Sequence, residues 1–267
     1  MDLTFIIPTR IETEDRLRNI ISSVSYLLRH LDAKVIVKEV SPHNTFQHRA
    51  LPEIKKYADI SNLTHFYEES QAPLFCKSKV LNDLIVAADT EFVANYDADC
   101  ILPLTSYHKA YELLSNGDAD VVYPYGCGIY QWRAAYDMNI YNQFVHTLST
   151  DVLDKHKTLS NSTIGWTQFI NRQKYIECYM MNENFVSWGC EDDEFYFRMS
   201  TLGNRIARVD DYVYHLEHAR TQNSWFSSPK FNDNFQLWNT IKTFDKKKLV
   251  EYYEGQDYIQ RRRKEVC

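Results

Sequence analysis

Residues 3–8 form a short apolar run with no polar alternation, the mark of a strand buried on both faces. Over residues 14–31 the apolar positions Leu17, Ile20, Ile21, Val24, Leu27 and Leu31 recur at helical spacing. Residues 35–40 return to a strand-like run, so the chain opens β-α-β. A further strand is expected at 63–67. Residues 79–88 place Val80, Leu81, Leu84, Ile85 and Ala88 on one helical face, and 91–96 form a strand that runs into Asp97-Ala98-Asp99. Strands alternating with helices predict an α/β fold with a mostly parallel central sheet flanked by helices. In such sheets, ligands bind beyond the carboxyl ends of the strands. Pro8-Thr9-Arg10 and Asp97-Ala98-Asp99 both fall there.

The second half begins after Cys100. The pattern predicts a helix at 104–114, a strand at 120–125, an irregular aromatic stretch through Trp132 and Tyr141, and a strand within 161–170. Residues 191–202 form a helix with acidic residues in its first turn, where the macrodipole favours them, and Gly203 as its stop. A last strand is expected at 212–216. Beyond Arg220 the chain is polar, with basic runs at 246–248 and 261–264.

Composition narrows the reading only slightly. A chain of 267 residues, 44% hydrophobic and 25% charged, has enough apolar surface to bury a substantial core. The net charge of -6 argues against a nucleic-acid partner. The 19 tyrosines suit a site that stacks on sugar or base rings, and equally an aromatic core. The six cysteines show no CxxC pair, which points away from a zinc module or disulfide framework and toward a reducing compartment, the cytoplasm. The apolar N-terminal run is far too short for a signal peptide or a membrane span. The basic C-terminal runs suit peripheral association with an anionic membrane, although charge runs are more often a solvated helical tail.

Three segments carry candidate chemistry. Asp97 and Asp99, two apart in extended chain, would point the same way and repel unless a cation lies between them. Mg²⁺ or Mn²⁺ suits such oxygen ligands, with substrate phosphates completing the shell. In Trp188-Gly189-Cys190-Glu191-Asp192-Asp193-Glu194 the glycine allows close backbone approach and the tryptophan offers an apolar wall. Such surroundings tune an Asp as a general base for a hydroxyl nucleophile. His215 and His218 lie near a strand end. If the strand continues, His215 shares a face with Glu217 and His218 points away, which favours His215 as a metal ligand.

Taken together, Pro8-Thr9-Arg10, Lys77-Ser78-Lys79-Val80-Leu81-Asn82, Tyr96-Asp97-Ala98-Asp99, the Trp188 to Glu194 block and His215 follow the order seen in GT-A glycosyltransferases. The chain resembles the β-1,4-galactosyltransferase group and bacterial family-2 enzymes such as chondroitin-type polymerases, over residues 3–220. The resemblance implies a Rossmann-like GT-A domain over 1–220. Residues 1–100 would be its nucleotide-sugar half and 101–220 a fused acceptor-binding half, with 221–267 a helical, basic extension. It implies a metal-dependent, inverting transferase that moves a hexose or N-acetylhexosamine from a UDP-sugar to a glycan or lipid-linked glycan hydroxyl, with Mn²⁺ or Mg²⁺ as cofactor.

By position, the resemblance makes Asp99 and His215 the metal ligands and sets Asp97 beside the ribose and diphosphate. Pro8, Arg10 and Lys79 hold the nucleotide. Asp192 is the base, Glu191 grips the acceptor sugar, and Trp188 and Gly189 line the meeting point of donor and acceptor. The family block reads W-G-G-E-D-D, and Cys190 here replaces its second glycine. Two rival readings stand beside this one. A sugar-nucleotide nucleotidyltransferase usually opens with a glycine-rich loop, and residues 7–12 contain no glycine. A non-catalytic carbohydrate-binding member of the fold has no need of both Asp99 and Asp192.

Overall fold

The computed structural model describes residues 1–160 and 163–266. Asn161, Ser162 and Cys267, and the part of the expected 161–170 strand that falls on the first two, lie outside the described residues. The strands are β1 (Leu3–Thr9), β2 (Lys34–Ser41), β3 (Leu63–Glu69), β4 (Phe92–Tyr96), β5 (Cys100–Ile101), β6 (Val121–Tyr123), β7 (Gln131–Ala134), β8 (Lys157–Leu159), β9 (Thr167–Asn171), β10 (Ile206–Arg208) and β11 (Val213–Leu216). Seven of them make one sheet in the order β10-β6-β9-β4-β1-β2-β3. Four of its six ladders are parallel, and β9 runs antiparallel to both β4 and β6. Every residue of β1 and of β4 is buried, as expected for strands covered on both faces. Because β6, β9 and β10 join the same sheet as β1 to β4, the two expected halves share one core.

The helix Glu14–His30 starts at Thr13, whose side chain accepts from the Arg16 N–H, and buries its apolar face against the sheet. The helix Lys77–Ala87 begins two residues before the periodic pattern suggested. It carries Lys77 in its first turn and packs on β1 and β2.

A second, four-stranded sheet, β5-β11-β7-β8, was legible from the sequence only in β11, the strand expected at 212–216. Its other members are two to four residues long, too short for a period-2 signal. It positions the site nonetheless. β5 pairs antiparallel with β11, setting His215 opposite Cys100, and the Leu216 N–H donates to the Asp99 carbonyl at 2.7 Å.

Beyond Arg220 the chain is no solvated tail. The helices Phe231–Ile241, Lys246–Glu254 and Asp257–Val266 bury Ile241, Leu249, Tyr253, Tyr258 and Ile259 in a second apolar cluster with Tyr179 and Phe185. The basic run is largely spent on this docking. Arg262 pairs with Asp83, Glu183 and Glu265, Arg261 with Glu183, and Arg263 with Glu254. No helix among the described residues is long and apolar enough to cross a membrane.

Candidate functional site

A cleft opens at the carboxyl ends of β1 and β4, lined by Pro8, Thr9, Arg10, Lys77, Asp97, Asp99, Trp188, Glu191, Asp192, His215 and His218 among others. The two carboxylates of Asp97-Ala98-Asp99 do not point the same way, as an extended chain would require. The strand ends at Tyr96 and the chain turns, with the Cys100 N–H donating to the Asp97 carbonyl at 3.2 Å. The turn separates their environments. Asp97 pairs with Lys77 at 2.8 Å, whereas Asp99 faces two imidazoles.

His218 corrects the expectation that it points away. β11 stops at Leu216, so the chain is free to turn and bring His218 back toward Asp99. Nε2 of His218 lies 3.1 Å and Nε2 of His215 3.6 Å from Oδ2 of Asp99. Glu217, expected to share a face with His215, pairs with Arg133 instead. The three groups can offer ligand atoms all within 4.8 Å of one another.

The donor set suits a divalent cation. Nδ1 of His218 lies 2.9 Å from the Ala219 carbonyl, an acceptor only, so Nδ1 is the donating nitrogen there and Nε2 is the one turned toward Asp99. With a divalent cation bound, Nε2 would act as a ligand beside the Asp99 carboxylate, giving up any proton it shares with it. Burial, partly opposed by Asp99, pushes His215 down to about 4, so its ring is neutral at neutral pH. It stacks on Trp166 at 5.4 Å between ring centroids, which fixes its plane. Burial raises Asp99, but the two histidines outweigh it and hold the carboxyl below its usual range.

Facing this triad, the acidic block splits four ways. Glu191 accepts the Gly189 N–H at 3.0 Å and is buried, and burial with the neighbouring Asp192 pushes it up to about 7. Asp192 is also raised by burial, with Lys77 opposing. It lies against Gly165, where a Cβ would come inside van der Waals contact of Oδ2. Asp193 is exposed. Glu194 turns into the core, pairing with Arg198 at 2.8 Å and accepting from the Tyr253 hydroxyl. Arg198 in turn donates to the Cys178 and Met180 carbonyls, so this pair is structural.

The backbone that delivers this block is under constraint. Ser187 and Cys190 are non-glycine residues in the left-handed region, at φ 62° and 69°. Gly189, at φ 116°, has Phe231 so close that a Cβ would meet its ring at 2.9 Å. Cys190, in place of a glycine, thus occupies a position where glycine would be unstrained.

Lys79 lies outside the cleft and is exposed. Two residues along a helix is a turn of roughly 200°, so Lys77 and Lys79 cannot both face the donor side, and Lys77 takes that place. Arg10 donates to the Ala72 carbonyl at 2.7 Å and pairs with Glu12, while Pro8 lines the cleft floor. Sequence reasoning missed Lys77, His218, Arg16 and Arg220. Helical phase could have found Lys77 and Arg16, which lines the cleft with Arg220; His218 and Arg220 follow β11 in chain that carries no periodic signal.

Residues 150–219 match the family model described as the N-terminal domain of galactosyltransferase. No match is found among curated protein sequences. Among solved structures, S. aureus TarS 1-349 in complex with UDP-GlcNAc is 15% identical, with a TM-score of 0.58 over 90% of this chain and 66% of that one. GalNAc-T7 with UDP, GalNAc and Mn²⁺ is 13% identical, with a TM-score of 0.62 over 99% of this chain and 55% of that one. The chain has the GT-A fold of these glycosyltransferase structures. The mannosyltransferase PcManGT of Pyrobaculum calidifontis, in complex with GDP-Man and Mn²⁺, is similar at 16% identity, with a TM-score of 0.52 over 82% of this chain and 57% of that one. The GT-A chain described here thus spans less than two thirds of the length of these structures.

Proposed function

We propose that the chain is a metal-dependent, inverting glycosyltransferase that moves a hexose or N-acetylhexosamine from a UDP-sugar to a hydroxyl of a glycan or lipid-linked glycan. The observation that carries this reading is one cleft lined both by the candidate metal triad of Asp99, His215 and His218 and by the carboxylates of Glu191 and Asp192. A bound Mn²⁺ or Mg²⁺ would supply Lewis-acid stabilisation of the leaving diphosphate.

The chain's own residues do the rest. Pro8, Arg10 and Asp97 border the nucleotide side, with Lys77 in the place expected of Lys79. Lys77 keeps its proton, held there by Asp192, Asp97 and Glu191 despite burial, so it stands as a fixed positive charge beside the diphosphate. Asp192 takes the proton of the acceptor hydroxyl as its oxygen attacks the anomeric carbon and the bond to the diphosphate breaks. A single base opposite the leaving group calls for inversion. Glu191, Trp188 and Gly189 form the acceptor wall beside it.

The membrane part of the expectation loses support, since Arg261, Arg262 and Arg263 are engaged in ion pairs within the chain.

The deciding experiment measures nucleotide release from UDP-GlcNAc, UDP-Gal, UDP-GalNAc, UDP-Glc and GDP-Man, with Mn²⁺ or Mg²⁺ and with EDTA. Release from a UDP-sugar that EDTA stops and Mn²⁺ restores supports the reading. No release from any donor, or release indifferent to EDTA, removes it.

A further inference from the structure

Next to the donor cleft, and sharing Thr163, Gly165, Trp188, Glu191 and Asp192 with it, lies a second depression whose far wall comes from residues beyond 220. That wall is aromatic. Phe231, Phe235 and Trp238 stand at i, i+4 and i+7 on the helix Phe231–Ile241, so they share one face, and Phe226 adds to it from the preceding loop. Phe231 and Phe235 are stacked, with centroids 6.1 Å apart, and Phe231 stacks in turn on Trp188 at 5.6 Å. The array therefore runs unbroken from the acceptor wall outward. Phe226 and Phe235 leave 59% and 47% of their surface to solvent, a large exposure for apolar side chains beside a reaction site.

We infer that this aromatic face is an acceptor subsite of the proposed transferase, holding the second and later sugar rings of an oligosaccharide whose terminal hydroxyl reaches Asp192. The inference rests on that reading of the cleft. Pyranose rings carry apolar C–H faces that lie flat on aromatic rings, while their hydroxyls need polar partners at the edge. Asp193 supplies such an edge. It lines this depression, is exposed, and directly follows the proposed base. A carboxylate beside stacked rings suits a hydroxyl-rich ligand better than an alkyl chain, which would leave the charge facing hydrocarbon. Continuity fixes the occupant: whatever fills this depression abuts Asp192 and Glu191 on its inner wall.

The test is saturation-transfer NMR and titration of the full chain with UDP and Mn²⁺ present. The probes are methyl β-glucoside, cellobiose, lactose, diacetylchitobiose and octyl β-glucoside. At least one disaccharide should bind about tenfold more tightly than the monosaccharide, and Phe235→Ser should remove that advantage while leaving the circular dichroism spectrum unchanged. Phe235 is largely exposed, so its replacement leaves the core intact. Trp238→Ala, on the same helical face, should weaken the same disaccharide. In turnover assays the loss should appear as a raised KM for the disaccharide rather than a lower kcat.

The proposal is overturned if octyl β-glucoside binds best, since the face then takes an apolar chain. It is equally overturned if the disaccharide has no advantage, or if sedimentation shows a dimer that Phe235→Ser dissolves, since the face then belongs to a second copy. Binding is read without turnover. A disaccharide that binds this face while no nucleotide sugar is consumed would defeat the transferase reading and leave the subsite standing.

Discussion

Asp99 and His218 face each other with 3.1 Å between a carboxylate oxygen and Nε2, although 119 positions of chain separate them. The Ala219 carbonyl engages the other ring nitrogen, so Nε2 is the one turned toward Asp99. His218→Ala should therefore weaken Mn²⁺ binding in the presence of UDP by about ten- to a hundredfold, as loss of one well-oriented ligand does. Asp99→Asn should cost more, since it removes the charge. Manganese titration by calorimetry or electron spin resonance checks both. Unchanged Mn²⁺ affinity in His218→Ala would return the second ligand to His215 alone.

Glu191 gives a pH dependence whose sign follows from its position. Its folded pKa is raised to about 7 by burial and by Asp192, above its ordinary value of 4.5. The folded chain then holds a proton that the unfolded chain has released between those values, so stability falls as pH rises from 4.5 to 7. Glu191→Gln removes this slope. The melting temperature of wild type should drop relative to that of the variant across this window when both are measured without metal or nucleotide. Parallel curves would show that Glu191 titrates normally.

Much of this arrangement was readable in the sequence, and the remainder has a physical explanation. The strands β1 to β4 and the helix Glu14–His30 came through because their apolar runs are long and their periods clean. Asp192, the proposed base, and the residues of the proposed acceptor wall rest on a local motif that stays together at a helix start. Asp97 and Asp99 were legible as acids, but their divergence depends on a turn that an extended reading cannot foresee. The second sheet beyond β11, His218 and the aromatic wall arise from contacts between segments about a hundred residues apart or from strands of two to four residues. The C-terminal helices were read as polar because arginines 261–263, which pair with Glu183, Asp83 and Glu254, look in the sequence like solvated charge.

That pairing has a consequence for truncation. Arg262, nearly buried, joins Asp83 on the helix Lys77–Ala87 to Glu183, which leads into the acceptor block, and donates to the Lys79 carbonyl. Arg262→Ala removes a nearly buried guanidinium shared by Asp83 and Glu183, which keep Lys38 and Arg261 as partners, and should destabilise the fold by about 1.5–3 kcal/mol. Removal of residues 257–267 should cost at least as much. Chemical denaturation of each variant measures it. A stability equal to wild type would show that the last helix is a passive appendage.

Glu194 follows the same logic inside the acidic block. It and Arg198 are wholly buried, and Arg198 also holds two backbone carbonyls. Glu194→Gln should lower stability by about 3–5 kcal/mol, because it leaves a buried guanidinium without its counter-charge. Asp193→Asn, at an exposed carboxylate, should change stability by less than about 0.5 kcal/mol. Denaturation curves for the two variants should therefore separate widely, although the acids are adjacent in sequence. Equal curves would contradict the inward turn of Glu194.

Gly165 offers a way to test the base without touching it. No side chain fits there, because a Cβ would press on Oδ2 of Asp192, while the glycine's own carbonyl accepts from the Tyr125 hydroxyl and holds the loop in place. Gly165→Ala should shift that carboxylate with the loop anchored, a displacement on the order of 1 Å that costs about a hundredfold in transfer when a proton must be taken in line. Asp192→Asn should cost the same or more, about a hundredfold to ten-thousandfold, by removing the base outright. In both variants UDP and Mn²⁺ should bind as in wild type, because Asp99, His215 and His218 are left alone. The double variant should be little worse than Asp192→Asn, since a misplaced base and an absent one fail at the same step. Calorimetry for the nucleotide and product formation for turnover, run on all three, decide it. If Gly165→Ala and Asp192→Asn lose activity additively, the glycine acts on something other than Asp192. Normal turnover in Asp192→Asn would move the base to Glu191, the other cleft carboxylate of the block.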